Sequence, residues 1–124
     1  GTMLGPKVML LDEFSASDGD IVAYRFKKHN LGVVVGKRSW GGVVGIRGTL
    51  PLLDGGTLNR PEFSRYDLEG KEWIMEGVGV EPDPALDFEG EDDQLAKALQ
   101  LILAELEKHP VQLPEPPPYP DKRR

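Results

Sequence analysis

The sequence contains no cysteine, which excludes several kinds of chemistry. Without a thiol there is no disulfide framework, no thiolate zinc site and no cysteine nucleophile. Histidine is nearly as scarce, because the chain has only His29, at the end of a predicted helix, and His109, before a proline. We expect both histidines to be surface or helix-capping groups and not catalytic bases.

Positive charge is also in short supply. The formal net charge is -6, and the basic cluster from Lys122 to Arg124 lies at the C-terminal end. Since nucleic-acid binding needs a concentrated basic surface, the composition predicts no nucleic-acid partner. Apolar runs are too short for a membrane span, and the N-terminus lacks the features of a signal peptide. We therefore expect no membrane partner and a cytoplasmic location.

Motifs for a bound metal or cofactor are missing as well. Asp18 and Asp20 lack the regular ligand spacing of a calcium loop, and the acids from Glu89 to Asp93 fit the start of a helix better. The glycines between Gly32 and Gly45 match neither the dinucleotide fingerprint nor the phosphate loop. The sequence predicts no metal site and no cofactor.

The chain does contain a strand-helix-strand pattern near its N-terminus. Val8 to Leu11 is an apolar run typical of a strand covered on both faces. A helix is predicted from Asp18 to His29, ended by Asn30 and Gly32. Val33 to Val35 reads as a second buried strand, and such units are normally parallel and right-handed. The pattern predicts an α/β fold.

The middle of the chain alternates turn signals with short extended segments. Val43 to Arg47 is predicted to be a strand, and Asp54 to Gly56 a turn. Phe63 to Tyr66 and Trp73 to Met75 flank Asp67 to Lys71 and predict a hairpin.

A long amphipathic helix is predicted to begin at Gly90 and to end at Lys108, before Pro110. Its apolar face is expected to pack on the core and consists of Leu95, Leu99, Ile102 and Leu106, widened by Ala98 and Leu103. The proline-rich tail that follows predicts an extended, polyproline-like arm along the domain surface or a partner.

Ser17 lies at the corner between the first strand and the first helix. Acyl-transfer enzymes often place a nucleophile at such a corner, where backbone N–H groups and the positive helix end stabilise an oxyanion. Ser17 followed by Asp20 also resembles a helix cap, in which the hydroxyl accepts from free N–H groups. The local pattern favours the cap and leaves both interpretations open.

A glycine-rich loop and one carboxylate are the other candidates for a site. Trp40, Gly41, Gly42 and Val43 belong to a segment where glycine permits close approach of another backbone, as peptide binding would need. A plain turn explains that segment equally well. Glu76 follows the predicted hairpin, where a carboxylate is usually a solvated surface group.

Three segments together resemble the C-terminal catalytic part of tricorn-type serine peptidases, in both order and spacing. They are EFSASDGD at Glu13 to Asp20, GKRSWGGVVGI at Gly36 to Ile46 and EGVGVEPD at Glu76 to Asp83. The resemblance extends over nearly all of Lys7 to Arg124 and implies a serine peptidase that cleaves oligopeptides.

The resemblance implies roles for particular residues. Ser17 matches the nucleophile, the N–H of Asp18 matches a donor of the oxyanion hole, and Glu76 matches the acid of the catalytic tetrad. From its glycines we expect the loop from Trp40 to Val43 to bind substrate. The similar C-terminal-processing peptidases use a lysine base where Gly42 stands here, so the resemblance implies a serine served by a histidine.

In the tricorn-type family that histidine, its partner serine and a second oxyanion glycine lie upstream, in a part this chain does not contain. The resemblance therefore implies an isolated chain without activity, a peptide substrate, a homo-oligomer, and upstream domains of the same parent chain as partners. It implies an α/β fold of the crotonase or Clp-protease type. We expect residues 1–3 to be a cloning remnant, 4–109 part of the catalytic domain and 110–124 the arm. The alternative is a non-catalytic peptide-binding or assembly module.

Overall fold

The computed structural model describes residues 3–48, 51–83 and 91–122, with side chains of the last range described from residue 93 onward. The elements in chain order are β1 (Val8–Leu11), α1 (Asp18–Lys28), β2 (Val33–Gly36), β3 (Gly45–Ile46), β4 (Pro61–Phe63) and α2 (Glu91–Lys108). The fold mixes helices and strands in α/β fashion. Neither helix in these ranges combines the length and the apolar character needed to cross a bilayer.

The predicted strand-helix-strand unit is confirmed. β1 and β2 pair in parallel over their whole lengths, with Val8 opposite Val33 and Leu11 opposite Gly36. α1 connects the two strands and contacts both, and α2 also contacts both. His29 forms the C-cap of α1, one residue beyond the last helical residue.

The core lies where α1 and β2 meet the loops that follow them. Ala23 and Val34 are fully buried, because α1 turns one apolar stripe toward the strands. The buried apolar cluster comprises Leu11, Ile21, Ala23, Val34, Val43, Met75 and Val80. Since Val43, Met75 and Val80 come from loops, the core fixes the backbone of those loops as well as the regular elements.

The segment between residues 43 and 75 is less regular than its sequence predicts. The expected strand from Val43 to Arg47 shortens to β3, which pairs antiparallel with β4 so that Gly45 lies opposite Phe63. The phenyl ring of Phe63 occupies the space that a side chain at Gly45 would fill. Phe63 therefore pairs with β3 and not with the segment from Trp73 to Met75. Within the described residues, the predicted hairpin consists of one bridge, between Tyr66 and Trp73.

The turn predicted at Asp54 to Gly56 is confirmed by two hydrogen bonds. The Leu52 N–H donates to the carbonyl oxygen of Gly56 (2.8 Å), and the Gly55 N–H donates to that of Leu52 (3.0 Å). This turn is exposed and stands away from the core.

α2 packs through only part of the face that its pattern predicts. Ala98 is buried, but Leu95, Leu99 and Leu103 are about half exposed (49%, 51% and 60%). The side-chain amide of Gln94 donates to the carbonyl oxygens of Leu11 (2.7 Å) and Val35 (2.9 Å), which turns the face carrying Gln94 and Ala98 toward β1 and β2. The expectation that the whole leucine stripe packs on the core is therefore wrong.

The chain from 110 to 122 has neither helix nor strand and is exposed throughout. Consecutive prolines remove N–H donors and fix φ, so this composition leaves extended chain as the available conformation.

Candidate active site

Ser17 occupies a strained position between β1 and α1. The Gly19 N–H donates to the carbonyl oxygen of Ala16 (2.8 Å), closing a turn in which Ser17 is the second residue. Its φ is 55° and its ψ is -110°, close to the geometry that a type II′ turn reserves for glycine. A serine held there costs on the order of 1–3 kcal/mol. We call residues 15–20, which include this turn, the serine corner.

The hydroxyl of Ser17 makes no capping hydrogen bond, although Ser17 stands at the N-cap position. An ordinary N-cap has β-region backbone and bonds through its side-chain oxygen. Ser17 has neither property, so the cap interpretation is wrong. The side chain is exposed and remains available for chemistry.

The backbone N–H groups around Ser17 have different partners. The Ser17 N–H donates to the carbonyl oxygen of Gly42 (3.1 Å), and the Ile21 N–H donates to that of Ser17 (3.1 Å). The Asp18 N–H, in contrast, donates to no acceptor within the described ranges. Because it lies at the positive end of α1, this N–H can donate to an oxygen on which negative charge develops.

The glycine loop, residues 39–44, lies directly beside the serine corner. The Trp40 N–H donates to the carbonyl oxygen of Ser15 (3.0 Å), while the carbonyl oxygen of Gly42 accepts from Ser17 (3.1 Å). Two main-chain hydrogen bonds thus fix the loop relative to the candidate nucleophile.

The Glu76 turn, residues 75–80, contacts the opposite side of the same loop. Oε2 of Glu76 accepts from the N–H groups of Val43 (2.7 Å) and Val44 (2.9 Å). The Gly77 N–H donates to the carbonyl oxygen of Gly41 (2.7 Å). Glu76 is exposed, but it is more than a solvated surface group because its carboxylate holds the loop main chain. The structure therefore brings Ser17, the glycine loop and Glu76 together.

Close backbone approach explains a glycine at position 41. Gly41 has a φ of 84°, and a Cβ there would lie 2.5 Å from the nitrogen of Gly79. Any side chain would push the loop away from the Glu76 turn, so the packing of these two segments depends on this glycine.

Gly42 is covered by the indole ring of Trp40. A Cβ built on Gly42 would collide with the six-membered part of that ring, and Trp40 is itself 65% exposed. A lysine at position 42 would have to displace the indole. The loop is therefore built around an aromatic ring at the place where a Ser-Lys mechanism would need an amine.

The two histidines lie apart from this arrangement. His29 caps the far end of α1, 12 positions from Ser17, which is about 18 Å along the helix axis. His109 follows α2, where its Nε2 lies 3.7 Å from Oε1 of Glu105. Neither histidine is hydrogen-bonded to Ser17 in the part of the chain that the structure describes.

Comparison with known proteins bears on this geometry. Residues 2–86 match the profile of peptidase family S41. The chain belongs to peptidase family S41. Among the relatives of this S41 chain, a tricorn protease of Thermoplasma volcanium is 39% identical over 117 residues, which are 90% of this chain and 11% of that protein. The chain thus spans about a tenth of the length of this relative.

Solved structures give the same picture of the S41 chain. A crystal structure of tricorn protease matches with a TM-score of 0.76 at 36% identity, over 83% of this chain and 11% of the other. The photosystem II D1 C-terminal processing protease matches with a TM-score of 0.56 at 25% identity, over 78% of this chain and 24% of the other.

One residue of the site, Ser39, was not predicted from the sequence. It is fully buried in the glycine loop, together with Asp20. Its side-chain partners are 19 and 41 residues away along the chain. No local pattern marks such a contact, and Asp20 itself was interpreted as part of a cap.

Proposed function

We propose that this chain carries the nucleophile of a serine endopeptidase that cleaves oligopeptides. The observation that carries the proposal is the backbone of Ser17, which holds an exposed, uncapped hydroxyl at positive φ at the start of a helix. Strain of this kind persists when the surrounding structure enforces it, and it is concentrated at functional sites. Membership of family S41 supports serine peptidase chemistry.

In the proposed reaction Oγ of Ser17 attacks the carbonyl carbon of the scissile peptide bond. A histidine takes the hydroxyl proton and later gives it to the leaving amine, and water then hydrolyses the acyl-enzyme. The Asp18 N–H donates to the oxyanion, assisted by the positive end of α1. The histidine, its partner serine and a second oxyanion donor are proposed to come from a segment upstream in the same parent chain.

Glu76 is proposed to orient that histidine through the partner serine. Its Oε2 is occupied by the N–H groups of Val43 and Val44. Its Oε1 accepts no hydrogen bond within the described residues, which leaves it available for a hydroxyl donor. A carboxylate fixed through one oxygen and open at the other suits an orienting role.

The glycine loop is proposed to bind substrate through Trp40, Gly41, Gly42 and Val43. Trp40 is a large exposed aromatic group, and its N–H bonds to the serine corner. The wider proposal is a crotonase-like or Clp-like catalytic domain over residues 4–109 with a proline-rich arm over 110–124. We place the parent enzyme in the cytoplasm as a homo-oligomer.

The proposal is tested by peptide hydrolysis with the full-length parent protein and its Ser17→Ala variant. Hydrolysis that depends on Ser17, together with no hydrolysis by the isolated 124-residue chain, is the expected result. Full activity of the Ser17→Ala protein would overturn the proposal.

A second candidate is a non-catalytic peptide-binding or assembly module. It is favoured by the β1–β2 sheet, which has only two strands among the described residues. The outer edge of β2 is covered at Val34, whose N–H and carbonyl oxygen both bond to Asp83, so the edge of β1 is the one left for an added strand. Open edges bind extended peptides by strand addition. Titration calorimetry with short extended peptides tests this function: heat of binding that persists in Ser17→Ala supports it, and no heat counts against it.

A further inference from the structure

The proposed reaction makes no use of two buried polar residues beneath the site. Asp20 and Ser39 both have zero exposure. Oδ1 of Asp20 accepts from the hydroxyl of Ser39 and from the N–H of Gly41 (2.9 Å). The hydroxyl oxygen of Ser39 in turn accepts from the Val80 N–H (2.8 Å).

These bonds connect all three segments of the site. Asp20 belongs to the first turn of α1, three positions after Ser17. Ser39 begins the glycine loop, and Val80 ends the Glu76 turn, where its carbonyl oxygen also accepts from the Ser39 N–H (3.1 Å). One hydroxyl therefore donates to the helix that follows the nucleophile and accepts from the segment that bears the acid.

The arrangement is not what stability alone would select. Oδ2 of Asp20 is buried without a hydrogen-bond partner in the described part of the chain. Burying an unpaired carboxylate oxygen is unfavourable, and an apolar residue of similar size is often as stable or more stable at such a place. The carboxylate of Asp20 nevertheless fixes the position of the glycine loop, because its Oδ1 accepts from both the Ser39 hydroxyl and the Gly41 N–H.

We infer that Asp20 and Ser39 are positioning residues for the peptidase reaction. They fix the position of the glycine loop relative to α1 and the Glu76 turn. In that position the Gly42 carbonyl oxygen accepts from the Ser17 N–H, and the Val43 N–H donates to Glu76. Neither residue touches substrate. This inference rests on the proposed function, since it assigns the two residues to the same site.

The test uses the full-length protein and measures kcat, KM and the rate at which a fluorophosphonate labels Ser17. In Ser39→Ala the Val80 N–H loses its acceptor and Asp20 loses a donor. A displacement of the loop by about 1 Å is expected to lower kcat and the labelling rate about 100-fold. KM is expected to rise as well, because the displaced glycine loop is also the proposed substrate-binding loop.

Conservative and double variants separate geometry from charge. Asp20→Asn keeps the shape and the Oδ1 acceptor, so kcat is expected to stay within about threefold of wild type, whereas Asp20→Ala falls as Ser39→Ala does. Because the two side chains act as one unit, the Asp20→Ala/Ser39→Ala double variant is expected to lose no more than the worse single variant. A loss in Asp20→Asn as large as in Asp20→Ala would overturn the geometric role.

Asp83→Ala is the matched control. Asp83 is also an aspartate whose carboxylate accepts a backbone N–H, that of Val34 (2.8 Å), but it has no bond to the glycine loop. We expect Asp83→Ala to lower the melting temperature and to leave kcat unchanged. If Ser39→Ala behaves in the same way, with a lower melting temperature and unchanged kcat, the inference is wrong. That outcome differs from failure of the proposed function, in which Ser17→Ala itself would stay active.

Discussion

The two ends of α1 both carry a non-glycine residue at positive φ, for different reasons. At the C-terminal end Asn30 has a φ of 50°. Its N–H donates to the Lys27 carbonyl oxygen (2.9 Å), and the Leu31 N–H donates to that of Phe26 (3.0 Å). This is the double hydrogen bond of a Schellman motif, in which asparagine is a common terminator. Positive φ at this end is explained by the helix alone.

At the N-terminal end the helix explains nothing of the kind. Ser17 has a φ of 55°, but its hydroxyl makes no capping bond and the following N–H, that of Asp18, is unpaired among the described residues. Its conformation is held by the turn bond from the Gly19 N–H to the Ala16 carbonyl oxygen (2.8 Å) and by a contact from elsewhere in the chain, the Gly42 carbonyl oxygen (3.1 Å). Positive φ at Asn30 is therefore ordinary for its residue type and position, whereas Ser17 is held in a turn geometry that favours glycine and is fixed by a distant segment, which is the pattern found at functional sites.

The largest expected effect is that of Ser17→Ala in the full-length protein. Peptidase activity should fall by on the order of 10³-fold or more, since the nucleophile is lost. The free energy of unfolding should change by less than about 0.5 kcal/mol, because no cap is removed, whereas an ordinary cap would lose about 1 kcal/mol. Denaturant titration beside the activity assay checks both. A loss of about 1 kcal/mol in Ser17→Ala, typical of a cap, would show that Ser17 caps α1 and does not differ in this way from Asn30 at the other end.

Glu76→Gln is expected to have the next largest effect. Glutamine keeps a carbonyl acceptor for the N–H groups of Val43 and Val44, so the loop should stay in place while the negative charge is lost. We expect kcat to fall about 100-fold or more with a nearly unchanged melting temperature, because an orienting charge acts on the reaction and not on folding. Glu76→Ala should lower both. Equal kcat for Glu76→Gln and wild type would remove Glu76 from the proposed mechanism.

Glycine substitutions at Ser17 and Asn30 compare the backbone strain at the two ends of α1 through the free energy of unfolding. Ser17→Gly should raise the free energy of unfolding by about 1 kcal/mol, because glycine adopts this backbone without strain. Asn30→Gly should change it by less than that, since asparagine already tolerates the left-handed region. Thermal and denaturant melts of the two variants measure the difference. A larger gain in the free energy of unfolding for Asn30→Gly than for Ser17→Gly would show that the strain lies at the C-terminal end of α1 and not at Ser17.

The smallest expected effect is that of Asp83 on the stability of the protein at acid pH. Near the C-terminal end of α1, Nζ of Lys27 lies 2.9 Å from Oδ1 of Asp83. Burial by itself would raise the pKa of Asp83, but the Val34 N–H and Lys27 together hold that pKa below its ordinary value. A carboxyl group whose pKa is lowered by folding adds stability that is complete above about pH 4 and disappears as the pH falls through the lowered pKa.

Melting temperatures between neutral and acid pH test this effect. Asp83→Asn should make the acid side of the stability profile slightly flatter than in wild type. It should not alter the reactivity of Ser17 at the other end of α1. A steeper acid loss in the Asp83→Asn protein would contradict the sign of the pKa shift.

The sequence predicted the parts of the fold that depend on nearby residues. β1, β2 and α1 follow from apolar runs and from the terminator Asn30, all within a few positions of each other. The pairing of Phe63 with Gly45 could not be predicted, because it depends on an aromatic ring filling the space above a distant glycine. Likewise, Gln94 and not the leucine stripe decides which face of α2 packs on the strands.

The site divides in the same way. Local pattern around Ser17 left cap and nucleophile open, because both need a small polar residue before a helix. What distinguishes them is the φ of Ser17 and its contact with Gly42, 25 residues later in the chain. Family resemblance supplied the nucleophile assignment, and the uncapped geometry agrees with it.

Fluorophosphonate labelling of the full-length protein, followed by peptide mapping, measures whether Ser17 is the nucleophile. We expect a single covalent adduct on Ser17 and none in the Ser17→Ala protein. An adduct on another serine, or peptidase activity without any adduct on Ser17, would contradict it.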